Sequence, residues 1–433
     1  MLLIYNFLSL TALILYLPLL LFKKGPEHRL SYLAERLGIS EYKNTDIWIH
    51  AVSVGEVTAS LTFLNRLKKE FPGIKIVFST TTYTGQKIAQ EKFRAADRIM
   101  YIPWDNLLCV KRAVRLLKPK IFITVETELW PALFMALKNS GSRIILLNGR
   151  ISPESFNSYK KVKFFMKRVL SFVDFLYMQG TGDAERIKLL GAEPEKVKVI
   201  GNFKFDADFN LFENSAAWIG GLEGQFMIAG STHKGEEEIM LDAYELIKKR
   251  VPAVDLKLII APRHPERFSE VEEIIKKRNF NFIRRSDFVT QYADNPPSPP
   301  FSKGGMGGFE LPDIILLDTI GELSQVFSKA AVTFIGGSLL PFGGHNILEP
   351  AYWGNPIIFG PNMENFPIAQ EFLNEGAALL VKNSHDIAAA VMQLLENTEK
   401  AKLMGQKAKA IVNNNTGAVE KALNLVRSLL GTA

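Results

Sequence analysis

Two α/β domains, each built on a parallel sheet, are what this sequence predicts, and three observations predict them. Short, continuous apolar runs alternate with stretches of helical spacing; the alternation pauses once near mid-chain and restarts; and 433 residues exceed what one hydrophobic core usually organises. Buried parallel strands read as unbroken apolar runs because both of their faces are covered. The composition agrees, since 47% of residues are hydrophobic and 22% charged, which excludes disordered and collagen-like chains. The net charge of +7 is spread without an Arg-rich arm, so it points to an anionic membrane surface or a phosphorylated substrate and not to nucleic acid. A single cysteine, Cys109, cannot form an intramolecular disulfide, and no Cys/His spacing suggests zinc, in keeping with a reducing compartment.

Taken in order, residues 1–22 (MLLIYNFLSLTALILYLPLLLF) carry no charged side chain and are long enough for a helix that enters or crosses a bilayer. Lys23, Lys24, Arg29 and Arg36 follow and no A-x-A site does, so an uncleaved anchor with the rest of the chain on the cytoplasmic side is expected. Asn6 and Pro18 interrupt the stretch and keep open a helix lying in the interface. The first domain, 23–207, has its strands at IWIHA, IKIVFST, RIMYIP, IFITV, RIILLN, FLYMQ and VKVIG. Periodicity weakens over 205–224, the expected seam. In the second domain, 208–433, strands are expected at FMIAGS, LKLIIAP, IILLD, AVTFIGGS and PIIFG. ADNPPSPPFSKGGMGGFE, 293–310, reads as a disordered insertion without chemistry, and 417–430 as a closing helix of the second domain.

Ligands of doubly wound sheets bind beyond the carboxyl ends of the strands, where loops lead into helices. Three segments of the first domain put polar groups there. In HAVSVGEVTAS, 50–60, Glu56 is either a helix-start carboxylate favoured by the macrodipole or a general base. In TVETELWP, Glu126 lies nearer the strand end than Glu128, which reads as a cap. In GNFKFDAD, Lys204 is suited to an anionic substrate or is a solvated surface lysine, and the Asp206-Ala-Asp208 pattern is too common to imply a metal.

The second domain offers three more. APRHPERF sets Arg263, His264 and Arg267 on a proline-stiffened loop fit for phosphate. DTIGELSQVF presents backbone amides around Gly321 and Glu322. FIGGSLLPFGGHNILEPAYWGNPIIFG, 334–360, has two Gly-Gly pairs that let backbone approach a ligand, followed by a helix expected to begin near Asn346. Asn346 and Glu349 have capping-box spacing, and a carboxylate one turn into that helix suits ribose hydroxyls, so a nucleotide site is expected. The dinucleotide fingerprint is absent, since GTGDAE lacks its third glycine.

SVGE, ETELWP, KFD, STHKGEE, PRHPERF, GEL and GGSLLPFGGHNILEP, in this order, resemble the bacterial 3-deoxy-D-manno-octulosonic acid (Kdo) transferase family, over essentially the whole chain apart from the insertion. The resemblance implies a GT-B architecture of two Rossmann-like domains facing a cleft, with acceptor on the first and sugar nucleotide on the second. It implies Glu56 as general base and Glu126 and Lys204 as stabilisers of the transition state. Pro262, Arg263, Ile320, Gly321, Glu322, Asn346, Ile347, Leu348 and Glu349 would line the CMP pocket. The implied donor is CMP-Kdo and the implied acceptor a tetra-acylated glucosamine disaccharide bisphosphate, the lipid A precursor, on the cytoplasmic face of the inner membrane. The implied reaction is a single inverting displacement without metal or cofactor. The rival readings are a membrane-associated GT-B enzyme using a UDP-sugar and a non-catalytic nucleotide-binding membrane protein.

Overall fold

The computed structural model describes residues 2–22, 29–39, 44–93, 95–207, 217–220, 222, 224–288 and 312–431. The expected insertion at 293–310, Asp208 and much of the expected seam lie outside them. The chain forms two compact units, residues 1–207 with 415–433, and residues 208–414.

In the first unit the strands are β1 (Ile47–His50), β2 (Ile76–Thr80), β3 (Arg98–Tyr101), β4 (Ile121–Val125), β5 (Arg143–Gly149), β6 (Phe175–Met178) and β7 (Val197–Val199). They form a parallel sheet in the order β3-β2-β1-β4-β5-β6-β7. Alternate residues of each strand face opposite layers: Trp48 and Phe122 enter one core, Ile47, Ile49, Ile121 and Ile123 the other. This double burial is why the runs read as continuous.

The second unit repeats the plan with β8 (Gln225–Thr232), β9 (Leu256–Pro262), β10 (Phe282–Arg284), β11 (Ile314–Leu316), β12 (Ala330–Ile335), β13 (Ile357–Phe359) and β14 (Ala378–Leu380), all parallel, in the order β10-β11-β9-β8-β12-β13-β14. The sequence reading lacks β10 and β14. Both are three-residue edge strands, too short to show a period and paired on one side only.

The closing helix, Ala418–Leu430, belongs to the first unit, a correction to the expected 208–433 domain. Val419, Leu423 and Val426 are buried in the same layer as Ile49, Phe63 and Ile123. An amphipathic stripe states that a helix is covered, not which sheet covers it. Asp206 fastens the helix start, its carboxylate accepting the N–H groups of Gly417 (2.6 Å) and Val419 (2.8 Å). That aspartate of the D-x-D pattern is therefore a helix cap supplied from elsewhere in the chain. D206A is expected to cost about 1–2 kcal/mol. Amide exchange should accelerate in 417–430 and stay unchanged in 224–288.

Residues Leu2–Phe22 form a helix; among the described residues no helix is long and apolar enough to cross a membrane, so the expected spanning anchor is not supported. Its polar residues dock it on the first unit. The Tyr5 hydroxyl donates to Asp105 (2.6 Å), the Asn106 side-chain amide to the Asn6 carbonyl (3.2 Å) and Ser9 Oγ (3.1 Å), and the Leu107 N–H to Asn6 Oδ1 (2.9 Å). Ile4, Phe7, Leu8, Ile14 and Leu15 remain exposed.

Candidate active site

The order of the first sheet reverses between β1 and β4, so the loops leaving these neighbours diverge and open a crevice at their carboxyl ends. Glu56 follows β1 and Glu126 follows β4. Ser53 caps the helix Val54–Glu70, and Glu56 completes a capping box. The Glu56 carboxylate accepts the Val52 N–H (2.7 Å), the Ser53 N–H (3.3 Å) and the Ser53 hydroxyl (2.8 Å). The capping reading of the sequence is thus realised. A carboxylate has roughly four acceptor sites, so this fixed group keeps capacity for an incoming hydroxyl.

Glu126 sits at φ +58, left-handed backbone that a non-glycine residue adopts only under constraint, with its N–H donated to the Leu147 carbonyl (2.9 Å). Burial, then the charge of Glu56, pushes its pKa up, while Lys204 and Arg150 oppose the shift. Lys204 is brought there by the turn Phe203–Asp206: Asn148 Oδ1 accepts the Phe203 N–H (3.0 Å) and Asn202 Oδ1 the Lys204 N–H (3.0 Å). The structure therefore brings Glu56, Glu126 and Lys204 into one electrostatic neighbourhood, although 148 positions of sequence separate the first from the last.

Glu128 is not the cap that the sequence suggests. The helix Pro131–Asn139 is capped by Asp105, whose carboxylate accepts the N–H groups of Ala132 (3.1 Å) and Leu133 (2.8 Å). Glu128 instead joins the acidic group, its pKa pushed up from 4.5 to about 7 by burial, then by Glu56 and Glu126. The folded protein holds this proton after an unfolded chain has released it. The stabilisation is complete below about pH 4.5 and is lost as pH rises through about 7. E128Q should therefore flatten the decline in urea-unfolding stability between pH 5 and pH 8 and leave the pH 5 value nearly unchanged.

In the second sheet the order reverses between β8 and β12. Pro262 is buried at the end of β9, whereas Arg263 is exposed, its N–H bonded to the Thr232 carbonyl (2.9 Å). The loop carrying Ile320, Gly321 and Glu322 is fastened from within. Arg285 donates Nε and Nη2 to the two oxygens of Glu322 (2.9 Å each), and Thr319 Oγ1 adds a bond (2.6 Å). Glu322 is buried, with its carboxylate committed to Arg285, while Ile320 is 81% exposed and Gly321 turns at φ +94. The sequence reading missed Arg285, because an arginine just past a short edge strand carries no pattern.

The helix expected near Asn346 begins at Leu348. Ile347 already has helical angles (φ −83, ψ −17), so Asn346 lies outside the cap position and the reciprocal box is not formed. Asn346 Oδ1 accepts the Leu348 N–H (3.1 Å), and its side-chain amide donates to Glu349 Oε1 (2.9 Å). Also unread in the sequence is the contact of His233, after β8, with His345, after β12. Their loops are joined by wholly buried Glu236, which accepts the N–H groups of His233 (2.9 Å), Gly337 (2.6 Å) and Leu339 (3.0 Å). Only the motif STHKGEE hinted at it, and nothing local in that motif names a partner 112 residues away.

Comparison with known proteins converges on one family. Residues 31–207 match the family model described as 3-deoxy-D-manno-octulosonic-acid transferase (kdotransferase). The 3-deoxy-D-manno-octulosonic acid transferase of Haemophilus influenzae is 33% identical over 423 residues, 95% of this chain and 94% of that one. A bifunctional glycosyltransferase/methyltransferase of Fusobacterium nucleatum is 34% identical over 411 residues, and there the match takes in 92% of this chain but 59% of the relative's length. In fold alone, UDP-GlcNAc 2-epimerase from Neisseria meningitidis is similar, with a TM-score of 0.57 at 13% identity over 90% of this chain and 100% of that one. With a curated relative matched over nearly its full length, the chain belongs to the 3-deoxy-D-manno-octulosonic acid transferase family.

Proposed function

We propose that this protein is an inverting GT-B glycosyltransferase that moves Kdo from CMP-Kdo to a lipid A precursor, a tetra-acylated glucosamine disaccharide bisphosphate, in lipopolysaccharide synthesis. The observation that carries the reading is the grouping of Glu56, Glu126 and Lys204 at the strand-order reversal of the first sheet in a chain of this family. Glu56 takes the proton of an acceptor hydroxyl as that oxygen bonds to the anomeric carbon, and the bond from that carbon to the CMP phosphate oxygen breaks on the opposite face. Glu126 and Lys204 stabilise charge around the reacting sugar, the lysine suited to the donor's carboxylate. Arg263 and the amides of the 319–322 and 343–348 loops receive the nucleotide, so charge on the departing phosphate is met without a metal.

The acceptor is a lipid, and we place the enzyme on the cytoplasmic face of the inner membrane, lying on it. The exposed Ile4, Phe7, Leu8, Ile14 and Leu15 support this reading, as does exposed Phe164 flanked by Lys161, Lys163 and Lys167. Phe165 packs on Tyr5 with ring centres 5.8 Å apart, so the basic segment adjoins the N-terminal helix.

The test is mass spectrometry of products from CMP-Kdo and lipid A precursor in detergent with a chelator present. Growth of the acceptor by whole Kdo increments is expected. No product with CMP-Kdo, or product with a UDP-sugar in its place, overturns the reading.

A further inference from the structure

We infer that His233 and His345 form an imidazole pair that takes up one proton when a nucleotide phosphate binds and delivers it to the phosphate oxygen as CMP departs. The inference rests on the donor reading above and adds an acid to the base already assigned.

The pair stands where the order of the second sheet reverses, one ring beyond β8 and the other beyond its neighbour β12. Their Nε2 atoms are 2.7 Å apart, and the ring centres are 4.9 Å apart with planes within 5°. Rings whose nitrogens are this close while the centres stay this far apart lie edge to edge in nearly one plane. A single N–H···N bond joins them. Each Nδ1 is left without a bond among the described residues, so one can donate a proton outward and the other can receive one.

The surroundings are built for two rings. Gly337, at φ +69, has no Cβ; one added there would lie 3.0 Å from His345 Cδ2 and 3.3 Å from His233 Cδ2. Phe342 stacks on His233 at 4.1 Å, and His264 meets it edge-on at 5.3 Å.

Arg263, His264 and Arg267 are the charged or titratable groups that act on the pair from the loop after β9. The acids on its other side are engaged: Glu236 by three backbone N–H groups and Glu237 by Arg267 (2.6 and 3.2 Å). Lys234 is exposed. Burial, then these cations and the neighbouring imidazoles, pull both histidines down, His345 to about 4. With no anion bound the pair is neutral at pH 7.

An arriving phosphate reverses that balance, and the pair gains a proton from solvent. When the anomeric C–O bond breaks, the electron pair stays on the phosphate oxygen, which becomes the second ionisation of a monoester, with a pKa of about 6. An imidazole near its usual value of about 6.5 is well matched to it. The proton moves from Nδ1 to that oxygen, the pair returns to neutral, and CMP leaves as the monoanion. The proton removed from the acceptor stays on the first unit and goes to solvent.

Isothermal calorimetry of CMP binding at pH 7.5, in buffers of different ionisation enthalpy, tests this, with cytidine as the control lacking phosphate. Proton uptake is expected with CMP and not with cytidine. H345Q should abolish the uptake while changing CMP affinity only a few-fold, and should slow transfer by roughly 10²-fold; H233N provides a second variant for the same measurement. CMP binding to the wild type without uptake, or uptake that survives in the variants, overturns the inference. Absence of any CMP binding to the wild type would instead remove the donor reading itself.

Discussion

Replacing Glu56 with glutamine is expected to lower Kdo transfer by about 10²–10⁴-fold while folding and CMP binding stay close to wild type. The substitution separates the two roles that the residue combines. As the third helical residue of a capping box, glutamine keeps one acceptor oxygen, enough for the Val52 or the Ser53 amide, which bond to different oxygens of Glu56, and Glu and Gln are both at home at that position. It cannot remove a proton. E56A would lose cap and base together, adding about 1 kcal/mol of destabilisation to any kinetic loss and blurring the result. Product formation by mass spectrometry, CMP affinity by calorimetry and thermal unfolding together decide the matter. Full turnover in E56Q would reduce Glu56 to a helix cap, and loss of CMP affinity would show that it shapes the fold at a distance.

The second large effect is expected at the Arg285–Glu322 pair. Both side chains are about nine-tenths buried and joined by two parallel bonds, and Arg285 also lies over the Trp218 ring at 4.8 Å. E322A leaves an uncompensated guanidinium in that position and should destabilise the second unit by about 3–5 kcal/mol in urea unfolding. The double replacement R285M/E322L removes both charges and keeps the volume. It should recover most of the stability, but the loop carrying Ile320 and Gly321 loses its fastening, so CMP affinity should stay reduced. If the single and double variants are equally unstable, the pair matters through packing and not through charge.

What the chain discloses in advance follows from whether the signal is local. Runs such as IFITV and LKLII are legible because double burial forces every position to be apolar, and the loops at their ends are then found by counting. Glu56 is legible for the same reason, as a carboxylate at a strand-to-helix junction, and both of its readings arise from that one position. The edge strands β10 and β14 are not legible, since three residues paired on one side impose little on composition. Nor are contacts between distant segments. Arg285 meets Glu322, Asp105 caps a helix that Glu128 was placed to cap, and His233 finds His345 only because the sheets set those loops side by side. Asn346 failed differently: its spacing to Glu349 is that of a cap, yet Ile347 enters the helix first.

Asp206 and the closing helix have a consequence for biosynthesis. Residues 208–414 interrupt the first unit, whose hydrophobic layer around Ile49 and Phe63 is closed by Val419, Leu423 and Val426. A ribosome must therefore make all of residues 208–414 before the helix that seals that wall exists, so vectorial folding of the first unit stalls one helix short. A nonsense codon just after Asn414 would release a product whose later half is whole and whose earlier half is left open, a natural client for chaperones.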